Sequence, residues 1–481
     1  MRRVTGIVAI ALVMVYLYSP EVLSKTLRVG SSLPVKRIVD AVSIASPGDT
    51  ILVYAGGYHG NIYLTKPLVL IGIGKPEIVG ERNGSAVTVE SDHCTVEGFD
   101  IRGGGSLLQK EDSGILLKSS HNDIRNNVLH DVLFGIYLFQ CNSSVIRGNR
   151  ISGRPELGIG ERGTGIHIWN SRGNMIEDNY ITVVRDGMYI QESSDNLIRH
   201  NFVTNLRYGI HYMYSDSNTF IENVFYKNVV GGAVMYSRRI KFERNIFAGN
   251  RGFSSYGLLL QDCDWCIADN NYIVDNSIGL HIEGTNANKI VNNYIALNDI
   301  AVQVFASALQ DSLTDNNFVG NLTEVQAIGN PKETAFNSDR AGNYWESYHG
   351  YDLNDDGIGD IAYKLTDAFE SLEADYPQLR LYLTSPAARA IRVAEDAFPI
   401  VRTVKVYDAH PLMRPAAIEN LGFLMPTPER HGSLEWALLL LLTLTLAALV
   451  ILPASAIVRS KKLSRLFCRP ADNLFDHEAD R

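Results

Sequence analysis

The chain has 481 residues, a formal net charge of −9, a pI near 5.8 and five cysteines. The acidic balance argues against a nucleic-acid partner, and five cysteines are too few for a disulfide framework. The length exceeds what one ordinary core fills, although a solenoid escapes that limit because each coil needs only its neighbours.

From the N-terminus, Met1-Arg2-Arg3 precedes an apolar run from Ile7 to Tyr18, followed by Val22-Leu23-Ser24. The run is short for a bilayer, and residues 1–24 read as a secretory signal cleaved before Lys25. Val35, Ile38, Val39, Val42 and Ala45 then share one helical face, ended by Pro47-Gly48. Such a helix would cap the first coil of a solenoid, covering apolar surface and unpaired strand edges. Strands are expected at 50–54, 68–73, 86–90 and 95–101.

A repeat follows. Asn127, Asn149, Asn179, Asn201, Asn223, Asn245, Asn271, Asn293 and Asn317 are spaced by 22, 30, 22, 22, 22, 26, 22 and 24 residues. Each precedes a short apolar stretch, and about eight residues on comes a Gly with a second apolar triplet, as in Gly165-Ile166-His167-Ile168 and Gly209-Ile210-His211-Tyr212. A fixed period of this length means a repeat architecture. The triplets are β-branched and aromatic, divided by turn residues, with no 3.6-residue stripe. One unit therefore suits one coil, and the fold class is all-β: a right-handed parallel β-helix over residues 25–330. The recurring Asn is expected at the corner, adopting left-handed dihedrals and stacking on the Asn of the next coil. The long gap holds an insertion at 152–164, a loop of the kind that often binds.

From 331 to 432 the rhythm lapses. Ser385-Pro386 reads as the start of a helix to Ala397, and Pro411, Pro415, Pro426 and Pro428 suggest an extended segment. Residues 433–458 are long and apolar enough to span a bilayer. The tail at 459–481 opens with Arg459, Lys461, Lys462, Arg465 and Arg469, which places it in the cytoplasm. The expected protein is an exported solenoid anchored to the plasma membrane.

The chain also resembles a known family. Residues 131–138, Arg154-Pro155-Glu156-Leu157, 206–215, Met235-Tyr236-Ser237-Arg238-Arg239, Gly342-Asn343-Tyr344-Trp345 through Asp360, and His410-Pro411-Leu412-Met413-Arg414-Pro415 together are similar to the NosD proteins. A membrane span at the C-terminus departs from that pattern. The resemblance implies a periplasmic β-helix accessory factor that helps assemble the copper–sulfide centre of nitrous oxide reductase. It also implies an ATP-binding-cassette transporter, a copper chaperone and the apo-reductase as partners. No phosphate-binding loop of the G-x-x-x-x-G-K-[ST] type occurs, so the ATPase would be a separate chain.

Candidate sites follow from the register. Aligning Tyr214-Ser215 with Tyr236-Ser237 stacks Met213 on Met235, about 4.8 Å apart, with Trp169 and Gln191 in the same column. His167, Tyr189 and His211 form a column two positions away, on the same face. Met213, Met235 and His211 would make a soft site for Cu(I), or the methionines fill the solenoid interior; alternation alone does not say which face is outward. Cys263-Asp264-Trp265-Cys266 could be a disulfide, a soft-metal site or a redox pair. Asp352, Asn354, Asp356 and Asp360, with Gly357, match the first part of a calcium loop that lacks its final Glu, or they form an acidic turn. Arg154, Glu156, Arg238 and Arg239 are candidate partner contacts. The rival function is a polysaccharide lyase or epimerase, or a carbohydrate-binding surface protein. Such an enzyme needs clustered carboxylates, whereas Glu192 and Asp262 stand three coils apart, about 14 Å.

Overall fold

The computed structural model describes residues 24–365, 385–386, 390 and 406–421. The expected signal peptide, the membrane span at 433–458, the basic tail and nearly all of the helix expected at 385–397 lie outside the described residues. Among the described residues, no helix is long and apolar enough to cross a membrane.

Each coil contributes three short strands to three parallel sheets of 13, 13 and 12 strands. In one coil, Leu197–Arg199 lies in the first sheet, Phe202–Thr204 in the second and Tyr208–Met213 in the third. The chain then turns back to Thr219–Ile221, which pairs with Leu197–Arg199 one coil below. The whole is a right-handed parallel β-solenoid. A helix, Ile38–Ile44, buries Ile38, Ala41 and Val42 over the first coil, as the capping argument requires. Val39 is only half-buried, and Ile44 points into solvent. The strand expected at 50–54 forms as Thr50–Tyr54, but 95–101 divides into Thr95–Glu97 and Asp100–Arg102 around a corner.

The corner asparagines explain the period. Asn223 is fully buried, and its side chain makes four hydrogen bonds. Its Oδ1 accepts from the backbone N and Nδ2 of Asn201 at 3.0 and 2.9 Å. Its Nδ2 donates to Ile198 O at 2.9 Å and to Asn245 Oδ1 at 3.0 Å. The same amide-to-amide step repeats from Asn127 to Asn343 at 2.9–3.1 Å. Every donor and acceptor of these buried amides is satisfied, which is what makes their burial tolerable. Two expectations are corrected. The ladder passes through Asn316 rather than Asn317, and it runs one step further, to Asn343. From Asn127 to Asn316 the left-handed residue is the one before the ladder Asn, for example His200, Glu222 and Arg244 at φ of 55°, 54° and 53°. The ladder Asn itself spends its side chain on the neighbouring coil.

The recurring Gly has a separate cause. A Cβ at Gly209 would lie 2.4 Å from Gly231 O, and one at Gly231 would lie 2.4 Å from Gly257 O. Successive coils approach too closely there for any side chain. Inside, Phe220 stacks on Phe242 at 4.9 Å and Phe225 on Phe247 at 5.1 Å, all fully buried.

After the last full coil, Tyr344-Trp345 adds a final strand to the second sheet against Asn317-Phe318. Trp345 is sandwiched between Phe318 at 4.2 Å and Tyr363 at 4.5 Å. Its Nε1 donates to the buried Asp408 carboxylate at 2.9 Å, and Leu412 N donates to Asn343 O at 2.9 Å. The two C-terminal motifs of the resemblance, 342–345 and 410–415, therefore pair with each other and close the solenoid.

Replacing Asn223 by Ala strips partners from four buried polar groups, each worth about 1–3 kcal/mol when orphaned. We expect Asn223→Ala to destabilise the solenoid by about 3 kcal/mol or more, read as a lower urea midpoint. A midpoint within error of wild type would contradict the ladder's role.

Candidate functional site

The irregularities of the repeat gather at one corner. Excursions at 103–112, 153–163 and 249–255 all lie between a strand of the second sheet and the following strand of the third. The middle one is the insertion expected from the 30-residue gap. Arg154 does not project from it as a partner contact: its side chain is 14% exposed. Its Nε donates to Asp131 O at 3.3 Å and its Nη2 to Gly105 O at 3.2 Å, tying two excursions together. Glu156 beside it is exposed.

The third sheet carries two outward columns. In one, Tyr137, His167, Tyr189 and His211 stack at successive ring distances of 4.2, 4.9 and 4.7 Å. In the other, Phe139, Trp169, Gln191, Met213 and Met235 follow one another in register. The interior positions between them are Ile210, Tyr212 and Val234, all fully buried. Met213 and Met235 are therefore outward and half-buried, and the interior-filling reading is excluded. Two residues of one strand two apart share a face about 6.6 Å apart. His211 thus sits beside the thioether pair.

His211 has a neighbour that sequence reasoning missed. Asp186 lies one coil below, completely buried, with Oδ2 3.5 Å from His211 Nδ1. Arg207 clamps the same carboxylate through Nε at 2.9 Å and Nη2 at 2.7 Å, and Arg185 Nε adds a contact at 3.2 Å. Burial raises the Asp186 pKa, but hydrogen bonds from His211 and Arg207 and the charges of both arginines outweigh it and hold the group below the ordinary carboxylate value. One coil further down, His167 is nearly buried, and neither ring nitrogen has a hydrogen-bond partner. Glu111 of the first excursion approaches its Nδ1 at 3.9 Å. Burial, helped by Arg185, drops the His167 pKa to about 3, so this imidazole is neutral.

This arrangement offers two thioethers and an imidazole, donors that suit Cu(I). Among the described residues, no three of His, Cys, Asp or Glu converge closely enough to hold a metal ion. Any site here therefore depends on the methionines.

The remaining candidates lie elsewhere. Cys263 and Cys266 face the interior as unbridged thiols, 0% and 1% exposed, and the hydrogen bond that the Cys263 thiol shares with Cys266, together with burial, pushes the Cys263 pKa well up. They are unavailable at the surface, and Cys94 and Cys141 are likewise small buried residues. Arg238 and Arg239 are exposed and pair with Asp264 at 3.4 Å and Asp216 at 3.6 Å. At 352–360 the side chains cap the turn: Asp352 Oδ2 accepts from Gly357 N at 2.8 Å, Asp356 Oδ1 from Ile358 N at 2.9 Å and Asp360 Oδ2 from Leu353 N at 2.6 Å. Asn354 Oδ1 accepts from Asp356 N at 3.3 Å.

A family model described as periplasmic copper-binding protein (NosD) matches residues 43–160 and 150–350. A probable ABC transporter binding protein NosD of Pseudomonas aeruginosa is 39% identical over 400 residues, covering 79% of this chain and 92% of its relative. A protein of the same name from Stutzerimonas stutzeri is 36% identical over 379 residues, covering 75% and 86%. Among solved structures, the A-module of the Azotobacter vinelandii mannuronan C-5 epimerase AlgE6 matches with a TM-score of 0.51 at 14% identity, covering 62% of this chain and 91% of the module. That likeness shows the fold alone. On the family model and on identity across most of its length, the chain belongs to the NosD family, whose members are periplasmic.

Proposed function

We propose that this chain is a non-catalytic accessory factor for assembling the copper–sulfide centre of nitrous oxide reductase. It works at the outer face of the membrane with an ATP-binding-cassette transporter, a copper chaperone and the apo-reductase. Copper is its cargo, held in passing by Met213, Met235 and His211. The observation that carries this reading is the outward, in-register pair of thioethers beside an imidazole. Soft, polarisable donors favour Cu(I) over the harder divalent ions. The names of its relatives, as transporter binding proteins of a copper-binding family, support the wider role. Glu156, Arg238 and Arg239 offer charge for a protein partner, whereas Arg154 supports the loop that displays Glu156. A membrane anchor at 433–458 would keep the rod beside the transporter.

A second reading, a uronate-acting lyase or epimerase, draws on Asp186 beside His211 in an aromatic face. Neither Glu192 nor Asp262 adds a second carboxylate to that group, so we expect no double-bond formation or C-5 inversion when the exported chain is incubated with polyuronates. Turnover would favour the enzyme.

For the calcium loop, we propose that Asp352, Asn354, Asp356 and Asp360 gather around a structural ion. Calcium at about 100 times its Kd would then add roughly 2.7 kcal/mol. Chelation should lower the thermal midpoint, and an unchanged midpoint removes the ion. The copper site is tested by Cu(I) competition titration. Replacing both methionines by Leu should weaken binding at least about tenfold, the equivalent of 1.4 kcal/mol. Unchanged stoichiometry and affinity would discard the site.

A further inference from the structure

Building on the copper-site reading above, we propose that Asp186 is the positioning residue for His211: it holds the imidazole with its proton on Nδ1, leaving the Nε2 lone pair as the donor.

The argument begins with the position Asp186 occupies. Its stacked neighbours in the third sheet are Thr164, Tyr208 and, one coil on, Val230, so a carboxylate there is alone among apolar and neutral groups. A fully buried charge survives only if it is paired and hydrogen-bonded. Arg207 from the next coil supplies the bidentate pair and Arg185 a further contact. That clamp does more than satisfy a charge, because it fixes the orientation of the carboxylate. Oδ2 is aimed at His211 Nδ1, which is buried and meets no other hydrogen-bond partner. At 3.5 Å the contact is at the long limit of a hydrogen bond, and such contacts tighten when the site is loaded. The two nitrogens of an imidazole are distinct. Whichever carries the proton is set by the partner of the other, and a carboxylate on the distal nitrogen both fixes the ring and raises its basicity as a ligand. Nothing else among the described contacts of His211 can do this. Tyr189 and Tyr208 make tilted ring contacts, at 4.7 and 5.1 Å between centroids.

The test reads the tautomer directly. Nitrogen-15 NMR of the exported chain, labelled at histidine and with the His211 signals assigned by their loss in His211→Gln, should show Nδ1 protonated and Nε2 bare. In Asp186→Asn the amide can offer its N–H to the ring, and we expect the proton to shift toward Nε2. The Cu(I) affinity should fall by about 10–100-fold, the range seen when outer partners of a ligating histidine are removed. A wild-type His211 protonated on Nε2 overturns the proposal without any variant, so a failure of Asp186→Asn to fold does not shelter it. An unchanged Cu(I) affinity in folded Asp186→Asn overturns it as well. If the wild-type tautomer is as stated but the Met213 and Met235 replacements leave copper binding untouched, the Asp186–His211 pairing stands and the copper-site reading falls.

Discussion

The amide ladder at the corner between the first and second sheets is the constraint from which the rest follows. Each rung is a primary amide, buried and satisfied by hydrogen bonds that tie it to the neighbouring coils. A coil slipped by one residue would orphan all of them and turn every inward side chain outward. Register is therefore set at the corners, and a fixed register makes columns. Rings 22 residues apart in sequence come to lie 4–5 Å apart in space, as in Phe220 on Phe242. The cost is borne one residue earlier, where a non-glycine side chain takes a left-handed conformation in coil after coil at about 1 kcal/mol each.

Columns on the inner faces make a core, and columns on an outer face can make a site. The third sheet is the one placed to do so. Its strands are the longest, and the three excursions of chain emerge along its leading edge. Its outer surface carries stacked imidazoles and tyrosines, a thioether pair and a single buried carboxylate. The first sheet instead carries ion pairs on its outer face, such as Arg125 with Glu97 at 2.9 Å. Exposed pairs of that kind contribute little energy and keep a long rod soluble. The functional reading thus rests on a contrast between faces of one regular object. The loops tied by Arg154 belong to the same design, since they bring Glu111 to the lower end of the imidazole column.

Much of this was legible in the chain itself. The Asn spacing yields the coil, the Gly marks where coils approach most closely, and Tyr214-Ser215 against Tyr236-Ser237 aligns Met213 with Met235. Adjacent asparagines hid the last rungs: 316 and 317 are both Asn, and only the pairing of Tyr294 with Asn317 shows which one points inward. The outward face was hidden by Tyr212, a polar ring at an inward position, whose hydroxyl is satisfied inside by Ser215 O at 2.8 Å. With Tyr212 read as an ordinary surface residue, the alternation of Ile210, His211, Tyr212 and Met213 has no unique solution. Asp186 was missed for a different reason. Its partners Arg207 and His211 lie 21 and 25 residues away, and a carboxylate before a repeated Gly looks like one more turn residue. The visible signal was its column, where every stacked neighbour is uncharged.

The central claim is that the coil register places two thioethers side by side on the outer face, where they hold copper. Selenium-edge X-ray absorption of selenomethionine-labelled protein loaded with one equivalent of Cu(I) tests this most directly, because the buried cysteines carry no selenium. The account predicts a copper neighbour in the selenium shell that disappears when Met213 and Met235 are both Leu. Copper bound to the protein with no selenium–copper contact would contradict it.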